Sequence, residues 1–233
     1  MSNNSTARTR IKICGLTRLE DVQAAVAAGA DAVGFVFYPK SPRYVEPRVA
    51  GELIAALPPF VTSVGLFVNA EAAEVASVVG MAPVSLLQFH GDETAQQCLS
   101  AAKTLNRRFV RALAVKSGMG AADLLKYEAE YRAVGGSLFA GLLLDAFVDG
   151  YGGGGKVFDW DLIPEELAHR AVLSGGLSAQ NVTEAVRRLR PLAVDVSSGV
   201  EAGQKGIKDA ASIRAFVSAV RAADAVLNVN HIP

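Results

Sequence analysis

Two side chains in this sequence are well suited to moving protons, and each one closes a short strand-like run. Cys14 ends RIKIC (10–14) and is followed by Gly15, Leu16 and Thr17. Asp145 ends FAGLLLD (139–145), ahead of the glycine-rich tract YGGGGK (151–156). A thiol works as a base or nucleophile only as the thiolate, which needs a helix N-terminus or a cation nearby. The alternative for Cys14 is a small apolar filler at a strand end. A carboxylate at the end of an apolar run must find a partner or have its pKa raised, and a carboxyl group kept protonated serves as a general acid. Helix capping is the competing use for Asp145, but a glycine-rich loop follows it rather than a helix. Asp195, in VDVSSG, is a second strand-end carboxylate.

Other residues suggest a bound anion. Ser174-Gly175-Gly176 and Ser197-Ser198-Gly199 each follow an apolar run and precede a helical pattern. Small residues there let backbone N–H groups approach a ligand, so a phosphorylated small-molecule substrate is expected. Two ordinary tight turns are the plain alternative. Arg43, in FVFYPKSPRYV, is a candidate clamp for a carboxylate, or else a solvent-exposed loop residue. His90, in LLQFHG, either orients substrate or is a satisfied structural histidine. YGGGGK lacks the Lys-Ser/Thr pair of a P-loop, since Val157 follows Lys156, and fits a loop that closes over substrate. Cys98 falls in an alanine-rich helical pattern and reads as packing. The three histidines, His90, His169 and His231, share no metal-ligand spacing, so no metal is expected.

These residues need a scaffold, and the chain supplies a regular one. Strand-like runs occur at 10–14, 31–37, 62–68, 84–90, 109–115, 139–145, 171–175 and 192–197. Helical patterns fall between and after them, at 18–29 (with Thr17 as N-cap and Gly29 as C-cap) and at about 47–57, 70–79, 94–105, 119–133, 161–169, 178–189 and 208–223. Strands this continuously apolar suit a parallel sheet covered on both faces. Eight such βα units in a chain of 233 residues predict an α/β fold of the (β/α)8 TIM-barrel type, in one domain. An open doubly wound sheet is the competing architecture. Residues 1–9 read as a flexible arm, 10–223 as the barrel and 224–233 as a loose tail. In such a barrel the active site lies at the C-terminal ends of the strands, where all the candidates above fall.

Composition narrows the function classes. Twenty-three basic and 23 acidic side chains give a formal net charge of zero, without the basic excess of a nucleic-acid binder. Two cysteines are too few for a disulfide framework. The polar start lacks the apolar core of a signal peptide, and no run reaches the roughly 18 apolar residues of a membrane span. A cytoplasmic enzyme, monomeric by default, is the expectation.

Taken together, KICGLT (12–17), GADAVGFVFYPKSPRYV (29–45), LLQFHG (86–91), LLLDA (142–146), YGGGGKVFDW (151–160), LSGGLSAQNV (173–182) and AVDVSSGVE (193–201) resemble the phosphoribosylanthranilate isomerases of tryptophan biosynthesis. The resemblance runs in order from about residue 10 to about residue 223. It implies a (β/α)8 barrel and an Amadori rearrangement of N-(5-phosphoribosyl)anthranilate, without cofactor or metal. Residue by residue, it implies Cys14 as general base, Asp145 as general acid and Arg43 as the residue holding the anthranilate carboxylate. SGG and SSG match the phosphate cradle, and His90 and Asp195 match positions lining the pocket. The sister isomerase of histidine biosynthesis typically has an aspartate where Cys14 stands, which argues against it. A dual-substrate enzyme and a non-catalytic phosphosugar-binding barrel are the remaining alternatives.

Overall fold

The computed structural model describes residues 8–116, 118–146 and 158–229. Eight parallel strands close into a barrel in sequence order, with β1 pairing both β2 and β8. The strands are β1 Arg10–Cys14, β2 Ala32–Val36, β3 Thr62–Phe67, β4 Leu86–Phe89, β5 Arg108–Val115, β6 Phe139–Ala146, β7 Val172–Leu173 and β8 Ala193–Val196. A helix follows each strand: α1 Leu19–Ala28, α2 Pro47–Ala55, α3 Ala72–Met81, α4 Ala95–Leu105, α5 Ala121–Gly135, α6 Glu165–Ala168, α7 Val182–Leu189 and α8 Ala210–Val229. The predicted barrel is therefore found, and the open sheet is not.

Strand register decides which residues face inward, because side chains alternate along each strand. Lys12 pairs with Asp195 and with Ala32, Cys14 with Gly34, and Ala114 with Asp145. Following that alternation round the ring puts Lys12, Cys14, Gly34, Gln88, Ala112, Ala114, Gly141, Asp145, Ala193 and Asp195 on the inner side. Val64, Leu66, Leu86, Val110, Leu143 and Val172 share that inner side, so the polar groups stand among aliphatic side chains. The phenylalanines lie on the outer side, under the helices. Phe37, Phe67, Phe89, Phe109 and Phe139 form a ladder of ring contacts from 5.4 to 6.4 Å. Ile11 and Ile13 are fully buried on that same outer side of β1.

Several boundaries move for local reasons. Thr17 does not cap α1. Its hydroxyl donates to the Gly206 carbonyl at 2.8 Å, and Arg18 takes the N-cap position. The helix expected at 161–169 is divided at Pro164 into a 3-10 turn, Trp160–Leu162, and the short α6. Strand β7 stops at Leu173, because Gly175 and Gly176 adopt positive φ and leave the ladder.

Residue 9 and residues 224–229, expected to belong to a loose arm and tail, are tied to the barrel. Thr9 is buried, and its N–H (3.1 Å) and hydroxyl (2.7 Å) both donate to the Asp224 carboxylate. Asp224 lies in α8, which continues to Val229, so ordered structure runs past both expected limits. Among the described residues, no helix is long and apolar enough to cross a membrane.

Candidate active site

The base candidate sits where β1 meets the barrel mouth. Cys14 is 5% exposed and shares the inner face of β1 with Lys12. Lys12 Nζ is 2.9 Å from Asp195 Oδ1, and both side chains are buried. Burial pushes the Cys14 thiol up, Lys12 pulls it down and Asp195 pushes it up again, so that the thiol stays above its ordinary value. For Lys12 itself, burial disfavours the charge, but Asp195 and the neighbouring thiol outweigh burial and raise its pKa.

The acid candidate is next to last in β6, three strands round the ring from β1. Asp145 Oδ2 lies 3.1 Å from His90 Nε2, and Asp145 Oδ1 accepts the Ala146 N–H at 2.9 Å. His90 Nδ1 is in turn 3.0 Å from the side-chain nitrogen of Gln88, a fully buried β4 residue. His90 is thus held at the mouth by its own strand and directed at the acid.

Arg43 is buried, not a solvated loop residue. Its side chain lies against Gly15, directly after Cys14, and it grips Glu201 in a two-pronged pair: Nε to Oε1 at 2.7 Å and Nη2 to Oε2 at 2.9 Å. Glu201 also accepts from Lys208 Nζ at 3.1 Å and from the Gly206 N–H at 2.9 Å. Burial works against the Glu201 charge, yet these donors outweigh it and bring its pKa down to about 2. Lys208 reaches on to the Ser197 carbonyl at 3.0 Å, which ties the same cluster to the loop after β8.

The two glycine-serine loops lie on neighbouring strands. Asn181 fixes the first from both sides: its side-chain nitrogen donates to the Gly176 carbonyl at 2.9 Å, and its oxygen accepts the Ser178 N–H at 2.8 Å. Gly199, in the second loop, packs directly on the Leu177 carbonyl, where no side chain fits. Ser174-Gly175-Gly176 and Ser197-Ser198-Gly199 therefore form one continuous rim. The tract 151–156 lies outside the described residues. Among the described residues, no three His, Cys, Asp or Glu side chains are placed to hold a metal ion.

A model of the N-(5'phosphoribosyl)anthranilate (PRA) isomerase family matches residues 11–219. The chain belongs to the PRA isomerase family. A relative from Herminiimonas arsenicoxydans, named N-(5'-phosphoribosyl)anthranilate isomerase, is 66% identical over 220 residues, covering 94% of this chain and 96% of its own. The crystal structure of phosphoribosyl anthranilate isomerase from Thermotoga maritima superposes with a TM-score of 0.80 at 42% identity, covering 92% of this chain and 99% of that one. A further crystal structure, of phosphoribosyl anthranilate isomerase in complex with reduced 1-(o-carboxyphenylamino)-1-deoxyribulose 5-phosphate, has a TM-score of 0.74 at 38% identity, with 92% and 99% coverage.

In this PRA isomerase family member, four residues of the site were not singled out by sequence reasoning. Lys12 carried a usable signal. RIKIC alternates charged and apolar residues, and a strand covered on both sides can send its charged positions only inward. Gln88 had the same signal, two residues before His90 on one strand. Glu201 and Lys208 had none, because Glu201 meets Arg43 from 158 positions away.

Proposed function

We propose that this isomerase catalyses the Amadori rearrangement of N-(5'-phosphoribosyl)anthranilate to 1-(2-carboxyphenylamino)-1-deoxyribulose 5-phosphate, in tryptophan biosynthesis, with Asp145 as general acid and Cys14 as general base. Asp145 gives a proton to the furanose ring oxygen, the bond from that oxygen to C1' breaks, and a protonated Schiff base remains. The Cys14 thiolate takes the proton from C2', and the electron pair moves through C1' to the nitrogen, forming the enolamine. Loss of the 2'-hydroxyl proton and protonation of C1' then give the ketone, so the overall change is an isomerisation. Opening the ring needs a proton donor and the second step a proton acceptor.

The observation that carries this reading is that Cys14 and Asp145 stand on different strands of one mouth, Cys14 beside Lys12 and Asp145 beside His90. The rim formed by Gly175, Gly176, Ser197, Ser198 and Gly199 would receive the phosphate. Arg43, with two nitrogens committed to Glu201, would present its remaining Nη1 to the anthranilate carboxylate. His90 and Asp195 would line the pocket between them.

The test follows the fluorescence of freshly prepared phosphoribosylanthranilate with the wild type, Cys14→Ser and Asp145→Asn. Consumption by the wild type and a loss of about three powers of ten in each variant is the expected result. An inactive, folded wild type would refute the reaction, and a fully active Cys14→Ser would refute the base. Inorganic phosphate should compete with substrate; unchanged KM at high phosphate would count against the rim.

A further inference from the structure

The mechanism above leaves Lys12 without a task, although this cation is buried beside the base. Two features define its position. Its ammonium is aimed by Asp195, its register partner on β8, at 2.9 Å. Its other neighbour is the Cys14 sulfur. The neighbouring strand, β2, presents Gly34 to both: a Cβ placed there would lie 2.9 Å from Cys14 Sγ, 3.1 Å from Lys12 Cε and 3.2 Å from Lys12 Nζ. Sulfur and nitrogen thus border one small space, and the ammonium is within hydrogen-bonding reach of the thiol, where an opposite charge favours an ion. Any side chain at residue 34 would wedge into that space.

The charges that reach Cys14 come from few directions. Lys12 is on its own strand, Asp195 on β8 and Lys208 beyond β8, while β2 offers only Gly34 at this register. Lys208 is engaged by Glu201 and the Ser197 carbonyl, and Arg43, beside Gly15, is engaged by Glu201. Lys12 is left as the nearby cation with a face toward the sulfur.

We propose that Lys12 is a positioning residue for the base: its ammonium, held by Asp195, stabilises the Cys14 thiolate inside the barrel. The proposal rests on the reading of Cys14 as general base, and it gives Asp195 the second role of directing that ammonium. A buried thiol loses hydration on ionising, and Lys12 replaces part of what water would supply.

The experiment labels the cysteines with 13C at Cβ and titrates them by NMR in the wild type, Lys12→Gln and Lys12→Arg. Cys98 serves as an internal reference, since burial in α4 pushes it up to about 12. In Lys12→Gln the Cys14 titration should rise by more than about one pH unit, equivalent to a tenfold loss of thiolate at neutral pH. The acid limb of kcat/KM should move with it, and Lys12→Arg should stay near the wild type on both. An unmoved Cys14 titration in Lys12→Gln overturns the proposal. If that variant fails to fold with Asp195 unpaired, Lys12→Gln combined with Asp195→Asn removes both buried charges. There the Cys14 titration should lie above that of Asp195→Asn alone, and equal titrations in the two overturn the proposal. A titration that rises while the acid limb stays fixed would uphold the Lys12–Cys14 coupling and remove Cys14 as the base.

Discussion

His90 Nε2 stands 3.1 Å from Asp145 Oδ2, and the Gln88 amide nitrogen stands 3.0 Å behind it at Nδ1. An amide N–H donating to Nδ1 leaves the ring proton on Nε2, pointed at a carboxylate. Turning the Gln88 amide over reverses both bonds. Its Oε1, buried without a partner among the described residues in the present orientation, would then accept from Nδ1, and Nε2 would accept from a protonated Asp145. The pair can follow the acid through either protonation state. His90→Ala should therefore lower kcat by about ten- to a hundredfold, less than loss of the acid itself. Gln88→Met should act in the same direction more weakly. Steady-state kinetics checks both, with KM the less affected quantity.

Gly175 is the second prediction. Its φ is +83°, and a Cβ there would come within 2.8 Å of Asp145 Oδ1 and of the Ala146 Cβ. Gly203 has a similar φ of +79° with nothing within 4 Å. Gly203→Ala should cost about 1–2 kcal/mol of stability from backbone strain alone and leave kcat intact. Gly175→Ala should cost more and also reduce kcat, because it displaces the acid. Urea midpoints together with kcat separate the two effects.

Glu201 makes stability depend on acid. Its pKa falls from 4.5 to about 2 on folding, so its contribution is complete above 4.5 and disappears as pH drops toward 2. Unfolding midpoints of the wild type should decline through that window. Glu201→Gln should flatten that segment of the profile and cost about 3 kcal/mol at neutral pH, since it strands Arg43 and Lys208. A variant with an unchanged acid profile would refute the assignment.

The link between the chain ends should be measurable too. Asp224 accepts from both the N–H and the hydroxyl of Thr9, and Arg221 donates to the Thr9 carbonyl at 2.7 Å. Asp224→Ala leaves buried donors unpaired and should cost about 2 kcal/mol. Truncation after residue 223 should cost at least as much. Equal denaturation midpoints for the wild type and Asp224→Ala would contradict this.

The sequence announces the barrel well because its strands are short apolar runs separated by helical patterns, and tertiary packing agrees with both. Cys14, Asp145, His90 and Asp195 are legible for a related reason: a polar residue closing such a run must stand at the mouth. Legibility fails where a residue's role depends on a distant partner. Glu201 reads as a surface acid after VSSGV, and only the closed ring brings Arg43 to it. The same holds for Thr9 and Asp224, each of which looks peripheral until the two meet. Lys12 lies between these cases, visible once its strand is known to be covered on both faces.

The Thr9–Asp224 contact also has a topological meaning. It fastens the residue before the first strand to the last helix, so positions 9 and 224 are in direct contact at the β1–β8 seam. A peptide joining 229 back to 8 would have to return along only the roughly 7.5 Å of helix beyond Asp224, and the molecule could be opened at another surface loop instead. Such a circular permutant would keep every strand neighbour of the ring while changing which βα unit leaves the ribosome first.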